Sequence, residues 1–336
     1  MLFRRALAML LATTLLLAGC ALDEPGEEAE EQAEAPLSVT LRTAANDPQD
    51  PNIAVLEFLP EKVSVLTGTE VSWTFDGPEP HSVTFFPEGQ TPPPPGSDPS
   101  LNEGNETEGE ITGTDLVNSG LRPFGPEKAE DFKVTFSKAG RYNYVCVIHP
   151  LMTGQVTVVE ENGQADTQDE ITRRGDEEYE RWLEEGRAAK QKLNSAPAGS
   201  AMQGGRTLWT VEMGATTEHT DILAFAPVKA FIKPGDRVNF INKSGAPHTA
   251  TFAGGTELPQ NPESTEAQNA TPGASPQTLA KTGFYNTGWL PPNSPPGSGP
   301  PIAARTFSFE VPEVGDYLYV CLLHLASGMT GSISVT

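Results

Sequence analysis

Tyr144-Val-Cys146-Val-Ile-His149-Pro150-Leu-Met152-Thr-Gly154 recurs near the other end of the chain as Tyr319-Val-Cys321-Leu-Leu-His324-Leu-Ala-Ser-Gly-Met329-Thr-Gly331. Self-similarity over so long a period means a duplicated unit, so one solution to folding has to be found twice. The match extends upstream. Phe58, Pro60, Gly68, Val71 and His81 recur 167 residues later, without a gap, as Phe225, Pro227, Gly235, Val238 and His248. Cys146 and His149 recur at a shift of 175 as Cys321 and His324, and Met152 at 177 as Met329. The second copy is therefore longer between its first His and its Cys, and again inside its last loop. At 336 residues the chain has room for two units that each bury a core. Short β-rich runs between turn residues, such as Val71-Ser-Trp73-Thr-Phe75 and Phe132-Lys-Val134-Thr-Phe136, predict sandwiches. The 32 Gly and 31 Pro suit their connections.

Each copy places a thiolate, an imidazole and a thioether on one short loop, with a second imidazole on a neighbouring strand. Ligands three residues apart converge from a tight loop, and a metal held from strand and loop together has little freedom to rearrange. Two His, one Cys and a weak, distant Met make the donor set of a type 1 copper site. The candidate ligands are His81, Cys146, His149 and Met152 in the first copy and His248, Cys321, His324 and Met329 in the second. Taken singly, a buried Cys is commonly a small hydrophobe and a Met a core filler. Two copies in one order make that reading a poor one. His219, the last of the five His, has Asn52 as its repeat partner and is assigned to the surface.

Residues 1–19 read as a signal peptide, with Arg4 and Arg5 before an almost wholly apolar run from Ala6 to Ala18. Leu17-Ala18-Gly19-Cys20 resembles the lipobox of bacterial lipoproteins, which implies a lipid-modified Cys20 and attachment to the extracytoplasmic face of a bacterial membrane. Residues 20–36, with seven acids and no base, form a tether. The first sandwich is expected over 37–160, a connector over 161–204 and the second sandwich over 205–336. Cys20, Cys146 and Cys321 occupy three unrelated settings, which argues against a disulfide framework. A lone exported thiol survives best when a metal holds it as thiolate.

Tyr179, Trp182, Leu183 and Gly186 are spaced like one face of a helix, expected near 176–193 and weakened by Gly175 and Gly186. Two insertions, Pro87 to Asp131 and Ala253 to Arg305, share a turn, Asn118-Ser-Gly120-Leu-Arg-Pro123 and Asn286-Thr-Gly288-Trp-Leu-Pro291, read as a surface turn before a strand. The formal charge of -23 disfavours nucleic acid and favours a basic partner.

Both copies resemble cupredoxins. The first ligand loop is similar to that of amicyanin, with Leu151 in the aromatic place of the His-Pro-aromatic-Met run; the second is similar to those of plastocyanin and halocyanin, whose Met lies five residues after the His. The resemblance implies an all-β chain of two tandem eight-stranded Greek-key sandwiches joined by an acidic helical connector. One copper would sit near one end of each, with His149 and His324 close to the surface as electron ports. It implies single-electron transfer with a redox protein, such as a c-type cytochrome or a membrane respiratory complex. Ser82 and Thr249 stand where many relatives have Asn, which leaves the hydrogen bonding around the thiolate open. A copper store or delivery protein is the alternative. A multicopper oxidase or copper nitrite reductase needs further His, and only His219 is left over.

Overall fold

The computed structural model describes residues 38–336 apart from 95, 106–109, 123–128, 150, 196–199, 204, 263, 274 and 294–299. The expected leader and tether, and Cys20, lie outside the described residues. The first half contributes β1 (Ser38–Asp47), β2 (Asp50–Leu59), β3 (Lys62–Leu66), β4 (Glu70–Thr74), β5 (Thr84–Phe85), β6 (Phe132–Phe136), β7 (Gly140–Val145) and β8 (Thr153–Val159). After α1 (Gln168–Ser195) the second half repeats the series as β9 (Arg206–Thr216), β10 (Thr220–Ala226), β11 (Lys229–Ile232), β12 (Asp236–Asn242), β13 (Thr251–Phe252), β14 (Thr306–Val311), β15 (Gly315–Val320) and β16 (Thr330–Val335).

In each half one sheet runs β2-β1-β4-β6 or β10-β9-β12-β14, and the facing sheet runs β3-β8-β7-β5 or β11-β16-β15-β13. Two pairings per half are parallel: β1 with β4 and β3 with β8, then β9 with β12 and β11 with β16. Parallel neighbours require the chain to cross between sheets, and this crossing makes a Greek-key sandwich rather than a meander. Alternation along β8 (eBiBiBi) and β16 (eBiBiB) shows why: every second side chain enters the space between sheets.

Equivalent aromatics fill both cores. Phe58, Trp73 and Phe85 surround Tyr144 with ring centroids 4.5, 5.2 and 5.0 Å away, and Phe225, Phe240 and Phe252 surround Tyr319 at 4.8, 5.0 and 5.2 Å. The Thr-Gly that follows each Met has its reason here. A Cβ on Gly154 would run into the Tyr144 ring, and one on Gly331 would lie 2.5 Å from Tyr319 Cζ.

The two halves share one sheet. Ile53, Ala54 and Val55 of β2 pair antiparallel with Ile222, Asp221 and Thr220 of β10. Ala54 and Asp221 are repeat equivalents, so the pairing is isologous, with a pseudo-two-fold axis between them. Over this joint lies α1, whose Tyr179, Trp182, Leu183, Ala189 and Leu193 pack with Ile53, Val55, Ile222 and Ala224. The helix begins earlier than its apolar stripe suggests. Thr167 and Glu170 form a capping box, Thr167 N donating to Glu170 Oε2 at 2.8 Å and Glu170 N to Thr167 Oγ1 at 3.3 Å. Gly175 and Gly186 do not weaken the element's place in the fold; they let it sit close. A Cβ on Gly175 would meet the Leu59 carbonyl carbon at 3.0 Å, and one on Gly186 would meet Ile53 Cγ2 at 2.5 Å. Arg187 and Lys190 then clamp the β1–β2 hairpin through Asp47 (2.8 Å) and Asp50 (2.6 Å).

His219 is not the surface residue its lack of a repeat partner suggested. It is half-buried in the joint, stacked on Trp182 with centroids 3.4 Å apart, and its Nδ1 lies 2.8 Å from Glu57 Oε1.

Gly331→Ala should destabilise the protein by about 1–3 kcal/mol, because the tyrosine ring must leave its rotamer to admit a methyl. Chemical denaturation of this variant beside wild type measures it, and unchanged stability would mean that the ring is not confined.

Candidate metal centres

Each candidate centre is built where β5 or β13 approaches the loop after β7 or β15. Cys146 N donates to Met152 O and Cys321 N to Met329 O, both at 3.0 Å, closing the two ligand loops into turns although one is two residues longer. Within each group, the nearest ligand atoms of His81, Cys146 and His149, and of His248, Cys321 and His324, lie within 4.8 Å of one another. Cys146 Sγ is 3.4 Å from His149 Nδ1, and Cys321 Sγ is 3.4 Å from His324 Nδ1 and 3.7 Å from His248 Nδ1. Met152 and Met329 are buried in the same cores as their cysteines.

The backbone amides of Ser82 and Thr249 donate to Cys146 Sγ and Cys321 Sγ at 3.4 Å. The hydroxyls accept from Val147 N at 3.0 Å and Leu322 N at 2.9 Å, tying the residue after each Cys to the segment that carries the first His. Behind them stands a buried chain. Ser82 Oγ lies 3.0 Å from Thr84 Oγ1, which donates to Asn118 Oδ1 at 2.8 Å; Thr249, Thr251 and Asn286 repeat this at 3.0 and 2.9 Å.

Asn118 and Asn286 correct the reading of their motif as a surface turn. Both are buried, with 1% and 0% of their surface exposed. Asn118 Nδ2 donates to Leu101 O and Glu103 O, and Asn286 Nδ2 to the carbonyls of Glu266, Ala267 and Asn269, so each long insertion is stapled down beside a centre. The next residue works alongside: Ser119 Oγ accepts from Val83 N and Thr287 Oγ1 from Ala250 N, both at 2.9 Å. Gly120 and Gly288 follow at φ 67° and 68°, where a side chain would be strained and a Cβ would strike the insertion backbone. The signal was present in the sequence as an Asn-Ser/Thr-Gly turn kept in both copies.

The donor chemistry fits a soft, thiophilic metal ion. His81 Nδ1 is buried with no hydrogen-bond partner, an unsatisfied acceptor aimed into the site. His248 Nδ1 and His324 Nδ1 face each other at 3.0 Å, while Ser244 Oγ holds the far Nε2 edge of His248 at 2.7 Å. Burial pushes His149 down to about 4 and His324 to about 3, and takes His81 and His248 well below their ordinary range, so the imidazoles are neutral and their lone pairs free. Burial raises the Cys146 thiol and pushes Cys321 up to about 11; a coordinated cation replaces that proton. Among the described residues, these are the two His/Cys/Asp/Glu groups with such convergence.

His324 departs from the surface position expected of it, whereas His149 is half-buried. His324 is buried, and its Nε2 edge lies 3.9 Å from Glu79 Oε1 of the other half. His149 lines a narrow cleft with Leu56, Thr216, His219, Asp221 and Gly245. Both rings therefore look into the joint.

A Greek-key sandwich with paired His and a Cys on the loop before its last strand defines a class of copper protein. Residues 48–159 match the model of the family described as copper binding proteins, plastocyanin/azurin family. The chain is 28% identical over 127 residues to chloroplastic plastocyanin of Chlamydomonas reinhardtii, covering 38% of this chain and 66% of that one. It is 31% identical over 114 residues to plastocyanin of Nostoc punctiforme (34% and 66%) and 27% identical over 156 residues to amicyanin-alpha of Methylorubrum extorquens (46% and 95%). The matched segments thus span just under two thirds of both plastocyanins. Residues 48–159 are thus of the cupredoxin type.

Three carboxyls at the joint set the pH response of the metal-free fold. Burial is the main cause that pushes Glu57 up to about 9, Glu79 to about 8 and Asp221 to about 7, with neighbouring acids adding to it for Glu57 and Glu79. Their folded pKa values exceed the unfolded ones, so the stability they contribute is present in acid and lost as pH rises through 7 to 9. The buried imidazoles act oppositely: their contribution is present above 6.5 and lost as pH falls through about 4 and 3. Denaturation of the metal-free protein across this range should show a maximum near neutrality, and Glu57→Gln should flatten the alkaline side. A profile rising steadily to pH 9 would contradict these assignments.

Proposed function

We propose that this chain is an electron carrier with two type 1 copper sites, held by His81, Cys146, His149 and Met152 and by His248, Cys321, His324 and Met329. One observation carries the reading: in both halves of a cupredoxin chain a thiol and two neutral imidazoles converge in a buried, hydrogen-bonded frame. Bound copper supplies reversible one-electron chemistry. The protein holds the donors still. The amides of Ser82 and Thr249 hydrogen-bond to sulfur, the Asn118 and Asn286 networks brace the strands, and the apolar cores keep water out, so little moves when charge changes.

Retention in so buried a frame supports cycling over copper storage or handover. The chain's His inventory, with His219 committed to Glu57 and Trp182, supports a carrier over an oxidase. The reading extends to the untested ends of the chain: Cys20 as the lipid anchor, residues 20–36 as tether, and an extracytoplasmic position at a bacterial membrane. The domain limits 37–160, 161–204 and 205–336 belong to the same proposal.

Loaded wild type should bind two copper ions per chain, absorb intensely in the visible and bleach reversibly with reductant. Cys146→Ser and Cys321→Ser should each lose about half of the colour. A colourless loaded wild type would sink the reading. The charge of -23 favours a basic redox partner, such as a c-type cytochrome or the exposed face of a respiratory complex. Association with a basic cytochrome should slow as ionic strength rises; a rate indifferent to salt would remove charge from the recognition.

A further inference from the structure

We propose that the two centres exchange an electron inside the chain, across the joint, through the His324 edge and Glu79. The proposal rests on the two-copper reading and goes beyond it. In a single-domain carrier an imidazole edge reaching solvent gives a partner direct access. Here His324 is buried against Glu79 of the other half, and the half-buried His149 faces a cleft lined by the other half.

The cover is reciprocal because the joint is isologous. His324 Nε2 lies 3.9 Å from Glu79 Oε1, and Glu79 precedes His81 of the first centre by two residues. On the other side of the pseudo-axis, His149 lines a cleft with Gly245, which precedes His248 of the second centre by three. Each ligand loop thus faces the segment leading into the other centre's first His. The hairpins repeat the exchange: Asn52 Nδ2 donates to Ser327 O inside the second ligand loop at 2.6 Å, and its repeat equivalent His219 lines the cleft beside His149 and Leu151 of the first.

Glu79 provides the direct side-chain contact. It is 5% exposed, its Oε1 has no hydrogen-bond partner, and it bridges from the His324 edge to the backbone leading into His81 with one non-bonded gap. An unpaired carboxyl oxygen buried at a joint is costly to keep. Its position between the centres gives it a use as contact material. The step is balanced: cuprous ion in one half becomes cupric as cupric ion in the other becomes cuprous, and the electron enters from and leaves to external one-electron partners.

The test begins by making the two centres distinguishable. Met329→Gln alters the axial donor, and with it the colour and potential of the second site. A small photochemical one-electron donor then reduces a minor fraction of the fully loaded protein, and absorbance follows the redistribution between the two bands. The expected result is a redistribution phase whose rate is unchanged by diluting the protein. Pulsed electron paramagnetic resonance on the oxidised form should show dipolar coupling between the two ions, lost in Cys321→Ser. Adding Glu79→Ala should slow the phase several-fold with both spectra unchanged, which a merely structural role would not do. A phase proportional to protein concentration overturns the relay, as does a rate that Glu79→Ala leaves alone. If no copper is bound, the two-site reading itself falls; if two ions are bound and coloured but the exchange is bimolecular, only the relay falls.

Discussion

The antiparallel contact of Ile53, Ala54 and Val55 with Ile222, Asp221 and Thr220 is the constraint on which the rest depends. Strand pairing fixes register as well as proximity, and a shift of one residue would turn every side chain to the opposite face. Because Ala54 meets its own equivalent Asp221, the contact is self-complementary. It places equivalent hairpins and ligand loops opposite one another, with Asn52 on Ser327 and His219 beside His149. The helix bonds to the product of this pairing. Its apolar side covers strands from both halves, and its basic residues grip Asp47 and Asp50.

Inside each half a different economy operates. The thiol and imidazoles sit in apolar surroundings, where charge is unfavourable, and burial moves all of their pKa values toward the neutral form. A site of neutral donors is ready for a cation. What remains is to keep the donors in place, and the structure does so with neutral hydrogen bonds rather than ions: amide to sulfur, hydroxyl to amide, hydroxyl to Asn carbonyl. The same Asn side chains also hold the insertions, so loops of different length and sequence close over equivalent frames.

Much of the site was legible in the sequence because its chemistry is local. Cys and His three residues apart on a loop, with Met shortly after, need no knowledge of distant contacts, and duplication separated these residues from incidental ones. The strands were legible through alternation. The helix was legible as a stripe, but its start at the Thr167–Glu170 capping box lies where the apolar pattern thins. Propensity weighs Gly175 and Gly186 by their effect on an isolated helix, whereas both are set by contact with Leu59 and Ile53 more than a hundred residues away. His219 and its repeat equivalent Asn52 differ in type yet share a place at the joint, which residue identity alone does not reveal.

Two copies of a fold, the donor atoms of each and their order along the chain follow from residue type and short spacing alone. Only the tertiary structure decided that His149 and His324 look into the joint, that Asn118 and Asn286 are buried braces, and that Glu79 lies against the other half's centre. These facts arise from which strand edge pairs with which, and an exposed edge offers the same row of N–H and C=O groups whatever it will meet. The choice of partner edge was made by packing summed over β2, β10 and α1, and no single stretch of the chain contains it.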